Sequence, residues 1–180
     1  MHFRVLATGL LFVLVSAGTT GCGSTGNGDV APKRWAQAVC TALTPWRVEI
    51  ADLTAKAQQQ LQSAKTAAQT KTNIVELLTG AETASEKARA GVSGAGVPDV
   101  SGGDKVAQQF TTSLSKARDA YGNAKRSVEA LPTADAKAFY TSVGSAFAVL
   151  KEEYEQSAID PKHVGQKDLQ KAFSEVPECR

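Results

Sequence analysis

The chain has 180 residues, 42% of them hydrophobic and 21% charged, with 20 Lys+Arg against 18 Asp+Glu and a formal charge of +2. That composition excludes a wholly disordered chain and a polytopic membrane protein, and the near balance of charge argues against a nucleic-acid binder. The length suffices for one domain with its own core.

The chain opens Met1-His2-Phe3-Arg4, continues as an apolar run from Val5 to Val15, and passes through Ser16-Ala17-Gly18-Thr19-Thr20-Gly21 to Cys22. A positive start, a short apolar stretch and a small-residue exit make residues 1–21 an export signal, which is set apart from the fold. At 1.5 Å rise per residue the run covers about half of a ~30 Å hydrocarbon core, too little for a spanning anchor. Removing residues 1–21 takes away one Arg and no acid, leaving 19 basic against 18 acidic residues.

Thr19-Thr20-Gly21-Cys22 resembles the lipobox of bacterial lipoproteins, with Gly21 and Thr20 matching the pattern and Thr19 standing where it prefers Leu or Val. The resemblance implies that the Cys22 thiol takes a diacylglycerol before the signal is cut ahead of it, which makes the membrane a partner through that lipid. Two acyl chains hold a domain at a bilayer without any spanning helix. A type I cut after Gly21 is the alternative, and it releases a secreted chain with an unpaired thiol at its end.

Cysteine parity favours the lipid. Cys22, Cys40 and Cys179 are an odd set that becomes one acylated residue plus one pair when Cys22 is modified. Cys40 and Cys179 lie near opposite ends of the mature domain, and their pairing staples the first helix to the C-terminal tail. They lack the CxxC spacing of a redox or zinc pair. Residues 22–31, rich in Gly and Ser, read as a flexible tether, and residues 32–180 as the folded domain.

From Trp35 the apolar positions Val39, Leu43, Trp46, Ile50, Leu53, Ala57, Leu61, Ala64 and Ala68 follow at steps of three and four, a helical stripe. Pro32 suits its first turn, whereas Pro45 falls inside and predicts either a kinked helix or a break with Thr44 as a new N-cap. Both put Trp35 and Trp46 on one face. A second helix is predicted with Asn73 as N-cap and Glu76 three residues on, carrying Ile74, Leu77, Leu78, Ala81, Ala84, Ala88 and Val92 inward and ending near Gly91.

Residues 93–103, glycine-rich around Pro98, read as a loop. A third stripe, Val106, Phe110, Leu114, Ala117, Tyr121, Ala124, Val128 and Leu131, has a coiled-coil-like seam and stops at Pro132. Thr133 or Asp135 starts a fourth helix with Phe139, Val143, Ala146, Phe147, Leu150 and Tyr154, reaching about Ser157. A short last helix over 167–175 offers Leu169, Ala172 and Phe173. The fold expected is all-α: an antiparallel four-helix bundle with a C-terminal extra helix and one disulfide. Sparse aromatics among many alanines are expected to fill its core.

The mature chain has one histidine, His163, flanked by Asp160 and Asp168, which is too little for a metal site. No GxSxG, SxxK, HExxH or P-loop occurs, and Ser142-Val143-Gly144-Ser145 lies mid-helix, where a nucleophile elbow does not form. Glu152, Glu153 and Glu155 read as a solvated face. Lys116, Arg118, Lys125 and Arg126 make a modest basic side of the third helix, diluted by Asp119 and Glu129, and Gln58-Gln59-Gln60-Leu61-Gln62 is a polar patch.

The lipobox-like start, the Gly/Ser tether, the Ala-rich helical body and the two terminal cysteines together resemble the small cell-envelope lipoproteins of high-GC Gram-positive bacteria. The resemblance implies anchoring on the outer face of the cytoplasmic membrane and transfers no catalytic residue. The reading that follows is a non-enzymatic interaction module, without cofactor, metal or nucleic acid, that binds an envelope protein through its basic or Gln-rich faces. The alternative is a binder of a small apolar ligand or lipid in a cavity lined by Phe110, Phe139 and Phe147. For the staple, intact mass without and with reductant and alkylation is expected to show Cys40 and Cys179 bonded; two freely alkylated thiols would rule it out.

Overall fold

The computed structural model describes residues 29–157 and 165–180. The expected signal, Cys22 and the loop holding Asp160 and His163 lie outside them. The described chain is all-helical, with α1 Pro32–Ser63, α2 Ala67–Gly94, α3 Gly103–Glu129, α4 Ala136–Glu155, α5 Lys167–Glu175 and a 3₁₀ turn at Pro177–Cys179.

Pro45 sits inside an unbroken α1. Of the two outcomes that proline allows, the continuous helix is the one adopted, because Leu43 and Trp46 on either side pack against the same core. The Thr44 hydroxyl does not cap; it donates to the Glu178 carbonyl at 2.9 Å.

The break between α1 and α2 comes earlier than the periodicity predicts. Helix α1 ends at Ser63, and Thr66, not Asn73, is the N-cap of α2. The Thr66 hydroxyl accepts the Gln69 N–H at 3.2 Å, while the Gln69 side-chain oxygen accepts the Lys65 N–H at 2.8 Å. Two otherwise orphaned amides are thereby satisfied by a Thr-x-x-Gln exchange of capping-box type, which Asn73 cannot offer in mid-helix. At its other end α2 passes Gly91 and stops at Gly94. Asp135, one of the two expected starts, caps α4 by accepting the Ala138 N–H at 3.0 Å.

Two cores result. Near the chain ends, Trp35, Val39 and Leu43 of α1, Ala88 and Val92 of α2, and Val106, Phe110 and Leu114 of α3 close around Leu169, Phe173 and Val176 of the C-terminal segment. Trp35 is fully buried; its ring lies edge-on to Phe110 at 5.5 Å and to Phe173 at 5.9 Å, and its indole N–H donates to the Gly96 carbonyl at 2.9 Å. The second core joins Ile74 and Leu78 of α2 to Ala120, Ala124 and Val128 of α3 and Leu150 of α4.

Helix α1 thus neighbours α2 and α5, α2 neighbours α3, and α3 neighbours α4, whereas α1 has no close backbone approach to α3 or α4. The C-terminal segment with α5 packs on α1, and α4 packs on α3 and touches α2.

The α2–α3 loop is held on both sides. Val30 pairs with it, its N–H donating to Val97 O at 2.7 Å and its carbonyl accepting from Asp99 N at 2.8 Å. At Gly103 a Cβ would lie 2.0 Å from the Pro98 carbonyl oxygen, and Gly102 beside it has φ +73°, so both positions need glycine.

Cys40 and Cys179 are bonded, across a sequence separation of 139. A constraint that long stabilises by about 5 kcal/mol at most in the chain-entropy picture. Reduction is therefore expected to lower the melting temperature by up to about 10–20 °C, read by circular dichroism. Trp35→Ala is expected to cost about 3–5 kcal/mol in denaturant melts. An unchanged melt after reduction would mean that packing alone holds the C-terminal segment.

Candidate functional site

The charged residues of α3 are largely spent within the domain. Glu86 of α2 accepts two bonds from Arg89, at 2.8 and 2.6 Å, and a third from Arg118 Nη1 at 2.8 Å. Arg118 also donates to Asp119 at 2.9 Å. One turn-pair further, Lys125 binds Glu82 across the same seam, and Arg126 donates to the Asn123 side chain. Of the side chains expected to form a modest basic side, Arg118 and Lys125 therefore staple α3 to α2, and Arg126 is held within α3. Among those four cations only Lys116 lacks a partner in the described residues.

The Gln patch is likewise divided, with Gln60 bonded to Glu76, itself paired with Lys56, and Gln58, Gln59 and Gln62 exposed. The acidic trio at the end of α4 does not converge. Glu153 accepts from Asn123 at 3.1 Å, Glu155 lies 3.8 Å from Lys151, and Glu152 is exposed. Ser142 and Ser145 sit in mid-helix, and the Ser145 hydroxyl donates back to the Thr141 carbonyl. Asp168 lies in the first turn of α5. No group of three or more His, Cys, Asp or Glu positioned for a metal occurs among the described residues.

The three phenylalanines expected around one cavity are separated. Phe110 stacks on Phe173 at 6.0 Å in the first core, Phe139 is buried against Tyr140, and Phe147 is a half-buried neighbour of the second core.

The surface that stands out is on α4. From Ala138 to Leu150 this helix carries no charged side chain. It fully buries only Phe139 and Leu150. Tyr140 is 49% exposed and Val149 53% exposed, with Thr141, Gly144, Ser145 and Ala148 exposed between them. The Thr70 and Tyr140 hydroxyls share a hydrogen bond of 3.2 Å that fixes the ring in place. Sequence periodicity hides this face, because the apolar stripe of α4 runs wider than the surface its neighbours cover. The uninterrupted absence of charge over 138–150 was the available signal.

A wider groove of about 600 Å³ opens where α2 meets α3, over Ala95 and Ala107 and beside Asp104 and Gln108. No helix among the described residues is long and apolar enough to cross a membrane. No family model, curated protein or solved structure matches the chain.

The Arg89 and Arg118 hydrogen bonds hold the Glu86 carboxyl down at about 2, well below the ordinary carboxylate range. Because the folded value is depressed, the stabilisation is present above that ordinary range and is lost as the pH falls toward 2. Glu86→Gln is expected to melt lower than the parent at pH 7, with the gap closing between about pH 5 and pH 2; a gap that persists at pH 2 would assign the loss to packing instead.

Proposed function

We propose that this protein is a lipid-anchored extracytoplasmic module that binds another protein of the cell envelope and performs no chemistry of its own. Its scaffold in this reading is an antiparallel four-helix bundle, tethered through residues 22–31 to a diacylglycerol on Cys22 at the outer face of the cytoplasmic membrane. The observation that carries the reading is the charge-free outer arc of α4, with Thr141, Gly144, Ser145 and Ala148 exposed along its middle and half-exposed Tyr140 and Val149 at its opposite edges. Isolated exposed apolar side chains are ordinary, but an arc of small uncharged residues over several turns, edged on one side by an aromatic and on the other by a branched residue, fits a close protein contact. The ion-paired α2–α3 seam is a poor competitor, since its charges already satisfy one another.

A photo-crosslinking residue placed at Tyr140 or Val149 in the membrane-anchored protein is expected to give a discrete adduct with an envelope protein, and the same residue at exposed Lys116 none. Cys22→Ala is expected to move the protein from the detergent to the aqueous phase on Triton X-114 partition and to abolish the adduct. Equal labelling at all three positions would overturn the α4 interface, and unchanged partition would overturn the anchor.

A further inference from the structure

Between α1, α3 and the C-terminal end of α4 lies a cleft of about 280 Å³, with Leu43, Trp46, Leu114 and Ala117 as walls. Tyr154 of α4 and Ser157 just beyond it complete the lining.

Its walls are held rigid. The Trp46 indole N–H donates to Ser85 Oγ at 3.1 Å, and the Ser85 hydroxyl in turn donates to the Ala81 carbonyl at 2.8 Å. Tyr154 closes one side with its ring 5.6 Å from that of Tyr121. Burial, reinforced by Tyr154, pushes the Tyr121 hydroxyl above its ordinary value, so no phenolate forms beside the cleft near neutral pH. The rim is polar in a specific way. Arg47 and Ser113 both line it, and neither has a hydrogen-bond or ion-pair partner among the described residues. Among the described residues no carboxylate lines the cleft. An exposed guanidinium that is always protonated and a half-buried spare hydroxyl, both on the rim of an apolar slot, suit an acidic head on an apolar body.

We infer that this cleft binds a small anionic amphiphile, with its apolar body against Trp46, Leu114 and Ala117 and its carboxylate on Arg47 and Ser113. The site is separate from the outer face of α4 and stands whether or not that face binds a protein.

The probes are decanoate and decanol, kept below micelle-forming concentrations. They are titrated into the full-length chain carrying Cys22→Ser, which avoids a bilayer that would absorb them, with tryptophan fluorescence as the readout. Decanoate is expected to bind at one site and more tightly than decanol. Arg47→Gln is expected to weaken decanoate about tenfold and to leave decanol within about twofold. Ala117→Leu, which fills the slot, is expected to weaken both by about tenfold or more. Ser113→Leu at the half-buried rim does the same should Ala117→Leu fail to fold. Equal weakening of both probes by Arg47→Gln would overturn the anionic assignment. Binding that survives the slot-filling variants, or no saturable binding of decanoate, would overturn the site.

Discussion

Trp35 ties together chain segments that are remote in sequence. Its ring meets Phe110 of α3 and Phe173 of α5, and its indole N–H closes the α2–α3 loop through Gly96. A fully buried indole with its one donor satisfied supplies a large apolar area at no polar cost. The Cys40–Cys179 bond lies beside this cluster and prevents the C-terminal segment from leaving it. Helix α5 has only nine residues, too few to persist alone in water, so the packing and the covalent link together explain why it is there.

The two cores differ in what they depend on. The first is aromatic and cross-linked. The second relies on Ala120 and Ala124, whose small side chains allow close helix approach, and on Leu150 of a helix with little buried surface. Between α2 and α3 the Glu86–Arg118 and Glu82–Lys125 pairs run along one seam. These partly buried pairs add to stability and together disfavour a slip of one helix along the other, since a one-turn shift would unpair both.

The same division of labour leaves two places where the domain is incomplete. Helix α4 turns an uncharged face outward, and the junction of α1, α3 and the end of α4 leaves a cleft with Arg47 on its rim. One suits a broad contact with a macromolecule, the other a small acidic molecule. Neither requires a catalytic group.

Much of the helical layout is legible in the residues alone. Steps of three and four, the proline and glycine stops, and the parity of the cysteines suffice for the number of helices, the loop around Pro98 and the Cys40–Cys179 pairing, because these are local or countable properties. Thr66-x-x-Gln69 was legible too, but an apolar stripe that stays in phase through Ala64 and Ala68 masks it. Other features belong to the tertiary structure only. Pro45 stays within α1 because the core behind Leu43 and Trp46 outweighs one lost hydrogen bond. Arg118 and Lys125 are neutralised by acids from a different helix, which no pattern along α3 can show. The open face of α4 and the cleft beside Trp46 depend on how much of each helix its neighbours cover, which is a matter of three-dimensional packing rather than of sequence period.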